Sequence, residues 1–182
     1  EDQNGFPQTY TVEVIQDVQC FNACDAKVTI SSIGGSSNVH KYIWDIGHVG
    51  LIQPDTVTGL CAGGHNIIIE DQVGCRKTVY YQIVQPMQLI SNTTIINHSS
   101  CAGTQTAANG EAQATASGGT AGYSYSWTGP NGFTATGANI NLLWPGTYYV
   151  TIVDGTGCVT LDTAVIDPGT NPILDVTVQD VS

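Results

Sequence analysis

Short segments of alternating apolar and polar residues run through the whole chain, and clusters of Gly, Asn, Asp, Ser and Pro separate them. The clearest segment is Gly146–Val153, which is dense in β-branched and aromatic residues and is followed by the turn sequence Asp154–Gly157. Alternation with period two predicts β-strands, and no stretch keeps a helical period. The predicted strands are Thr9–Ile15, Ala26–Ser32, His40–Asp45, His65–Glu70, Thr78–Val84, Thr93–Ile96, Glu111–Ala116, Tyr123–Trp127, Gly146–Val153, Thr160–Ile166 and Asp175–Val178. The pattern therefore predicts an all-β protein of short antiparallel strands.

The strand and turn at Gly146–Cys158 have an earlier counterpart at Gly63–Cys75. Residues of the two copies match at a constant separation of 83 positions: Trp44 with Trp127, Cys61 with Trp144, and Cys75 with Cys158. Several matches at one offset indicate that a module was duplicated. The sequence therefore predicts tandem antiparallel β-sandwich repeats.

The repeat register also sets the expected domain boundaries. We predict repeat 1 at residues 17–86 and repeat 2 at residues 87–168, each ending near a proline. Residues 1–16 are expected to be the end of a preceding repeat or a linking strand, because Glu1–Phe6 resembles the end of the first module. Residues 169–182 are expected to hold the first strand of a following repeat. Chance similarity between short β-sequences is the alternative for the N-terminal match.

The charge and hydrophobicity of the chain limit the classes of molecule that it can be expected to bind. The net charge is −11, and the only basic side chains are Lys27, Lys41, Arg76 and Lys77. This charge balance argues against nucleic-acid binding and against attraction to anionic membrane surfaces. No apolar run is long enough for a membrane span, so membrane insertion is not expected.

Six cysteines in a chain rich in Thr, Ser, Asn and Gly favour an oxidising, extracellular setting. Two cysteines of the first module have no counterpart in the second, where Ala108 and Trp144 occupy their register positions. Two cysteines missing together are most simply the two halves of one disulfide. The predicted pairs are Cys24 with Cys61, Cys20 with Cys75, and Cys101 with Cys158. The alternative is a zinc site formed by Cys20, Cys24, Cys61 and His65.

Other candidate sites have simpler explanations. His40, His48 and His65 all lie in the first module, where a transition-metal site competes with ordinary packing or surface roles. Asp71 and Asp154 each precede a glycine by three residues, so turn chemistry explains them as well as calcium does. No serine-nucleophile, phosphate-loop or aspartic-protease motif is present. The sequence therefore predicts a non-catalytic protein without a metal or cofactor, with Ca²⁺ as the alternative.

A sugar-stacking platform is one interpretation of the three tryptophans, Trp44, Trp127 and Trp144. Trp44 and Trp127 share one register position, which favours a role in the core. Trp144 replaces a half-cystine and is expected to fill that volume by packing.

Three segments carry a resemblance to a known family: GGTAGYSYSWTGPNGF (118–133), LLWPGTYYVTIVDGTGC (142–158) and GLCAGGHNIIIEDQVGC (59–75). They resemble SprB-type repeats, the Ig-like, PKD-like modules of the large cell-surface adhesins of gliding Bacteroidetes. The second module fits this pattern better than the first. Asp55-Thr56-Val57 and Asp162-Thr163-Ala164 resemble the sites at which these bacteria attach O-glycans, which implies modification of Thr56 and Thr163.

The expected function is that of a non-catalytic structural or adhesive repeat segment of a large secreted cell-surface protein or filament. The expected location is extracellular, at the cell surface, and the resemblance implies gliding motility as a setting. Expected partners are neighbouring repeats, other copies paired through the strand Thr9–Ile15, and surface glycans. A discrete carbohydrate-binding module is the alternative function.

Overall fold

The computed structural model describes residues 9–34, 39–99 and 108–168. These residues form fourteen β-strands and one short 3-10 turn, Pro130–Gly132, with no α-helix among them. All strand pairs are antiparallel. The predicted all-β fold is confirmed.

The chain divides into two compact units, Glu1–Gln88 (unit 1) and Leu89–Ser182 (unit 2). The division lies two residues beyond the boundary predicted between residues 86 and 87.

Unit 1 is a sandwich of a three-stranded and a four-stranded sheet. Its strands are β1 (Thr9–Gln16), β2 (Ala26–Ile33), β3 (Lys41–Trp44), β4 (Val49–Gly50), β5 (Asp55–Leu60), β6 (Gly63–Glu70) and β7 (Arg76–Ile83). The sheet orders are β1-β2-β5 and β4-β3-β6-β7. Seven antiparallel strands in sheets of three and four are the architecture of an Ig-like sandwich.

The core of unit 1 lies between these two sheets. Alternate residues of β2 and β6 point inward, as the period-two pattern requires, and Tyr42 and Trp44 of β3 fill the centre. The Trp44 indole Nε1 donates to Asp55 Oδ2 over 2.7 Å, which satisfies the one polar atom of that ring. The predicted core role of Trp44 is confirmed.

Unit 2 has the same architecture. Its strands are β8 (Ile90–Asn97), β9 (Gly110–Ser117), β10 (Ser124–Thr128), β11 (Thr134–Thr136), β12 (Asn139–Leu143), β13 (Gly146–Val153) and β14 (Val159–Ile166). The sheet orders are β12-β9-β8 and β11-β10-β13-β14. Trp127 of β10 is fully buried in its core, as predicted, beside Tyr148, Val150 and Ile152 of β13.

The two units also share a backbone irregularity near the end of the strand before the central hairpin. β5 and β12 each pair with a register shift, against β2 and β9 respectively. In β5 the residue with left-handed backbone is Gly59, at φ +81°, and in β12 it is Leu142, at φ +57°. These two residues are 83 positions apart, so the duplication preserved the conformation while the residue type changed.

The first strand of unit 1 differs from the sequence-based expectation. Thr9–Gln16, which the repeat register assigned to a preceding repeat or a linker, pairs with β2 from Thr9↔Ile33 to Gln16↔Lys27. It thus occupies the place that β8 occupies in unit 2, where β8 pairs with β9. The predicted start of repeat 1 at residue 17 is therefore too late. The predicted strand Asp175–Val178 lies outside the described residues.

Candidate functional site

The Cys24–Cys61 disulfide is present, as predicted. Cys24 lies just before β2 and Cys61 just after β5, and these two strands pair with Ala26 opposite Leu60. The disulfide therefore joins neighbouring strands where their ladder ends, and it closes a segment with a sequence separation of 37. This disulfide uses two of the four side chains that the alternative zinc site of the sequence analysis would need as thiolate or imidazole ligands.

The predicted Cys20–Cys75 pair is wrong. Cys20 is disulfide-bonded, whereas Cys75 carries a free thiol. The reason is that these residues lie near opposite ends of β7: Cys75 immediately precedes it, while Val18, two residues from Cys20, donates its N–H to Val84 O beyond the other end. Eight strand residues span roughly 26 Å, far more than the ~6 Å between Cα atoms that a disulfide allows.

The third predicted pair falls partly outside the described residues. Cys158 is disulfide-bonded, but Cys101 lies in the segment that the structure does not describe. The Cys101–Cys158 pairing therefore stays a prediction.

Asp154 organises the turn between β13 and β14. Its Oδ1 accepts the N–H groups of Thr156 and Cys158 and the Thr156 hydroxyl, each at 2.9 Å, and its Oδ2 accepts the N–H of Thr120 at 2.9 Å. Burial alone raises the pKa of Asp154, but the hydrogen bonds to the carboxylate outweigh it and lower the pKa to about 2. This aspartate is thus a structural anion held by neutral donors.

Asp71 plays the same part at the turn between β6 and β7. Its Oδ1 accepts the N–H groups of Val73 at 3.0 Å and Cys75 at 2.8 Å. Oxygen atoms aimed at N–H donors favour turn chemistry over a calcium-binding role for Asp71 and Asp154. Throughout residues 9–34, 39–99 and 108–168, no three His, Cys, Asp or Glu side chains converge as a metal site requires.

The structure places the three histidines of unit 1 in different surroundings. His40 is buried, and its Nδ1 lies 2.8 Å from Ser32 Oγ and 2.9 Å from Gln53 Nε2. His48 Nε2 lies 3.4 Å from Asp55 Oδ1, and its ring centroid lies 6.5 Å from that of Trp44. The buried Ser32–His40 contact is closed to substrate, so it does not offer the exposed nucleophile that serine hydrolysis needs.

His65 belongs to the same series of ring contacts as His48, which runs from His48 through Trp44 and Tyr81 to His65. Its ring stacks on Tyr81, with centroids 5.6 Å apart and planes inclined by 23°, and Tyr81 meets Trp44 edge-on at 6.2 Å. His65 Nδ1 lies 3.0 Å from Asp45 Oδ2, and Nε2 lies 2.9 Å from Cys61 O. These contacts fix the imidazole between the disulfide and the core.

An open groove of about 600 Å³ lies against this cluster. We call it the β6–β7 groove; its lining residues are Gly64, His65, Asn66, Tyr80, Tyr81 and Gln82. The Tyr80 side chain is 78% exposed. Sequence reasoning missed this groove because it searched the tryptophans for a platform. The available signal was Gly64 within a strand, where the other module has Thr147.

Trp144 does not pack as expected: its side chain is 44% exposed. It precedes Pro145 between β12 and β13, and only its backbone carbonyl is used, accepting from the Tyr148 hydroxyl at 2.9 Å. A platform of three tryptophans is therefore absent, because Trp44 and Trp127 are buried in separate cores.

Both threonines predicted to carry O-glycans are exposed. Thr56 lies in β5, where its hydroxyl is 2.8 Å from Thr29 Oγ1. Thr163 lies in β14 opposite Tyr149 of β13, and its N–H donates to Asp162 Oδ1. Their modification stays a prediction.

The fold and its cross-link define a class: tandem Ig-like β-sandwich units with a disulfide at the end of a strand pair. Within unit 2, residues 93–132 match the family model described as the SprB repeat. The resemblance expected from the sequence is therefore confirmed for this segment, which covers most of β8 and all of β9 and β10.

Solved structures of other proteins show low similarity to the whole chain. A C-terminal 282-residue fragment of intimin, in complex with the intimin-binding domain of the translocated intimin receptor, is 12% identical with a TM-score of 0.39; the alignment covers 89% of this chain and 64% of the fragment. DIP-gamma IG1+IG2 is 13% identical with a TM-score of 0.36, over 88% of this chain and 98% of that one. The structure of Dpr11 IG1 bound to DIP-gamma IG+IG2 is 12% identical with a TM-score of 0.32, and the alignment covers 88% of this chain and 100% of that one.

No curated protein matches the sequence of this chain. The part of the chain described by the structure contains no helix with the length and apolar character of a membrane span.

Proposed function

We propose that this chain is a non-catalytic structural and adhesive repeat segment of a large secreted cell-surface protein or filament. The observation that carries the proposal is the SprB-repeat match at residues 93–132, inside a β-sandwich unit whose strand order is repeated in unit 1. Surface adhesins of the gliding type, to which the sequence motifs are similar, are the proposed setting.

The mechanical part of this function would reside in the strand ladders. The first strand of unit 1 is held by its pairing with β2, and the last strand is held along its whole length by β6. Because these terminal strands lie in different sheets, tension on the chain ends must disrupt the core or a ladder before the unit extends. Non-local pairing of this kind supports a load-bearing segment.

The disulfide adds a limit to extension. If unit 1 unfolds under load, the segment between Cys24 and Cys61, with a sequence separation of 37, remains a closed loop and cannot be stretched. The unfolded chain is therefore shorter by about 130 Å, at ~3.5 Å per residue. The net charge of −11 supports solubility of an array of such units through mutual repulsion.

The outer edge of β1 is the proposed contact with other copies in a filament. Among the strands that the structure describes, β1 lies at an edge, since it pairs with β2 on one side of the order β1-β2-β5. An edge of this kind offers unpaired backbone groups to another strand. Sedimentation velocity over a range of concentrations tests it: self-association is expected, and a monomer at all concentrations would contradict this contact.

Surface display is tested directly with an antibody against this chain on intact cells of the source organism. Labelling is expected without permeabilisation and should be lost after external protease treatment, with a cytosolic protein as control. Labelling that appears only in permeabilised cells would overturn the proposal. Pulling the chain in a force spectrometer provides the mechanical test, because replacing Cys24 and Cys61 by alanine should lengthen the unfolding step of unit 1 by about 13 nm.

A further inference from the structure

We propose that the β6–β7 groove of unit 1 binds a neutral oligosaccharide. The site is independent of the structural role argued above. Its basis is the juxtaposition, on the outer face of one sheet, of a solvent-exposed aromatic ring, two planar amides and a glycine notch.

Strand register creates this juxtaposition. Gly64 pairs with Gln82 and Asn66 pairs with Tyr80 across the β6–β7 ladder. Side chains of neighbouring strands that pair directly share a face, and the buried Ile67 and Val79 occupy the opposite, inward face. Gly64, Asn66, Tyr80 and Gln82 therefore form one outward-facing patch.

Gly64 gives this patch its depth. It has no side chain, and a Cβ placed there would lie 3.6 Å from Gln82 Oε1, which is an ordinary contact distance. Gly64 is not among the glycines with positive φ. Neither its backbone nor steric crowding therefore requires a glycine at this position, and its effect is to leave open space between the flanking side chains.

The lining chemistry matches a sugar ring better than a charged or purely apolar ligand. The exposed face of Tyr80 offers an apolar surface to the C–H groups of a pyranose, while the amides of Asn66 and Gln82 offer donors and acceptors to its hydroxyls. Gln82 Nε2 donates to Ile83 O at 3.2 Å, and its Oε1 faces the notch. No Lys or Arg lines the groove, and the protein is strongly acidic, so anionic sugars are disfavoured.

The rings behind the patch are fixed before any ligand arrives, because His65 pairs with Tyr81 across the same ladder and both side chains belong to the inward face. His65 is held by Asp45 and by the carbonyl of Cys61, and it stacks on Tyr81. Rigid support behind the patch reduces the entropic cost of binding.

Unit 2 lacks the same patch. The residues at the four equivalent positions, 83 further along the chain, are Thr147, Tyr149, Thr163 and Val165. Thr147 fills the notch, and no amide flanks it. Because unit 2 lacks the notch and the amides, we expect one oligosaccharide site per chain, in unit 1.

The test titrates the full chain with neutral tetrasaccharides of glucose, mannose, galactose and N-acetylglucosamine, using calorimetry and NMR line broadening. At least one should bind with a stoichiometry of one per chain. Tyr80→Ala should weaken that affinity about tenfold, as expected for loss of one aromatic contact. Gly64→Thr, which installs the residue of unit 2, should abolish binding.

Tyr149→Ala is the matched control, because Tyr149 is an exposed tyrosine on the corresponding sheet of unit 2. This variant should bind the tetrasaccharide with the same affinity as the wild type. Circular dichroism should show that all three variants fold. Absence of binding by every tetrasaccharide up to about 10 mM, or equal binding by wild type and a folded Gly64→Thr variant, would overturn the assignment. Neither result would affect surface display, so this site and the structural role can fail separately.

Discussion

Leu142 offers a sharp test of the internal comparison between the units. It sits in β12 with φ +57°, the conformation that Gly59 adopts at φ +81° in β5. In the folded state, a left-handed backbone conformation destabilises a residue with a Cβ by about 1–2 kcal/mol. Glycine avoids this steric cost, but its greater backbone freedom in the unfolded chain lowers the stability of the fold by ~0.5–1 kcal/mol. The net gain from glycine here should be about 1 kcal/mol.

The informative comparison is Leu142→Gly against Leu142→Ala. Leu142 is 71% exposed, and both variants remove the same side-chain atoms beyond Cβ, so the small loss of burial cancels between them. In an ordinary strand glycine is less stable than alanine, but here we expect the glycine variant to be more stable by about 1 kcal/mol. For a unit of this size that corresponds to a rise in Tm of roughly 4–8 °C.

Hydrogen exchange of peptides from β13 reports on unit 2 alone and complements calorimetry. The reverse substitution, Gly59→Ala, should destabilise unit 1 by a similar amount, because the nearest atom to the new Cβ is Cys24 O at 3.9 Å and no clash contributes. If Leu142→Ala proves as stable as Leu142→Gly, the left-handed backbone at this bulge does not favour glycine over alanine, and the reasoning is refuted.

Three further predictions concern the cross-link and two titrating groups. Replacing Cys24 and Cys61 together by alanine should lower the unfolding free energy of unit 1 by about 4 kcal/mol, the entropy of a 37-residue loop; unchanged protection of β2 amides would refute this. Asp154→Asn should cost about 2 kcal/mol in unit 2, while exposed Asp167→Asn should cost little. Since the pKa of Asp154 is lowered to about 2, its stabilisation is complete above pH 4 and is lost as pH falls towards 2, which acid titration of each variant would show. Burial, and secondarily the charge of Asp45, raises the pKa of Tyr81 to about 12, and burial also raises the pKa values of Tyr42 and Tyr148. Absorbance at 295 nm should therefore show late-ionising tyrosines, one of which is lost in Tyr81→Phe, and stability should fall above pH 10.

The strands that the sequence predicted are those with clean alternation and dense β-branched residues, such as β2, β6 and β13. The strands it missed, β4, β5, β11 and β12, are short, follow turns, or contain a left-handed residue that interrupts the period-two pattern. In β5 the interruption is Gly59, within two residues of Cys61. Local pattern therefore predicts regular ladders well and irregular edge strands poorly.

The cysteine predictions show the same division between local and non-local information. Cys24 and Cys61 were paired correctly because the second module lacks both together, which is a signal of proximity. Cys20 and Cys75 were paired by elimination, and elimination ignores distance along β7. The groove residues were missed because Asn66 and Gln82 become neighbours of Tyr80 and Gly64 only through the register of two strands, which the sequence does not display.

The Cys24–Cys61 disulfide also determines what a protease can do to this protein. The exposed Leu51 and Ile52, between β4 and β5, lie inside the segment that the disulfide closes. A cut there separates no covalent pieces, because the sulfur–sulfur bond carries the connection around the nick. Unit 1 would thus stay attached at both ends after a cleavage that, in an uncross-linked chain, would sever the tether.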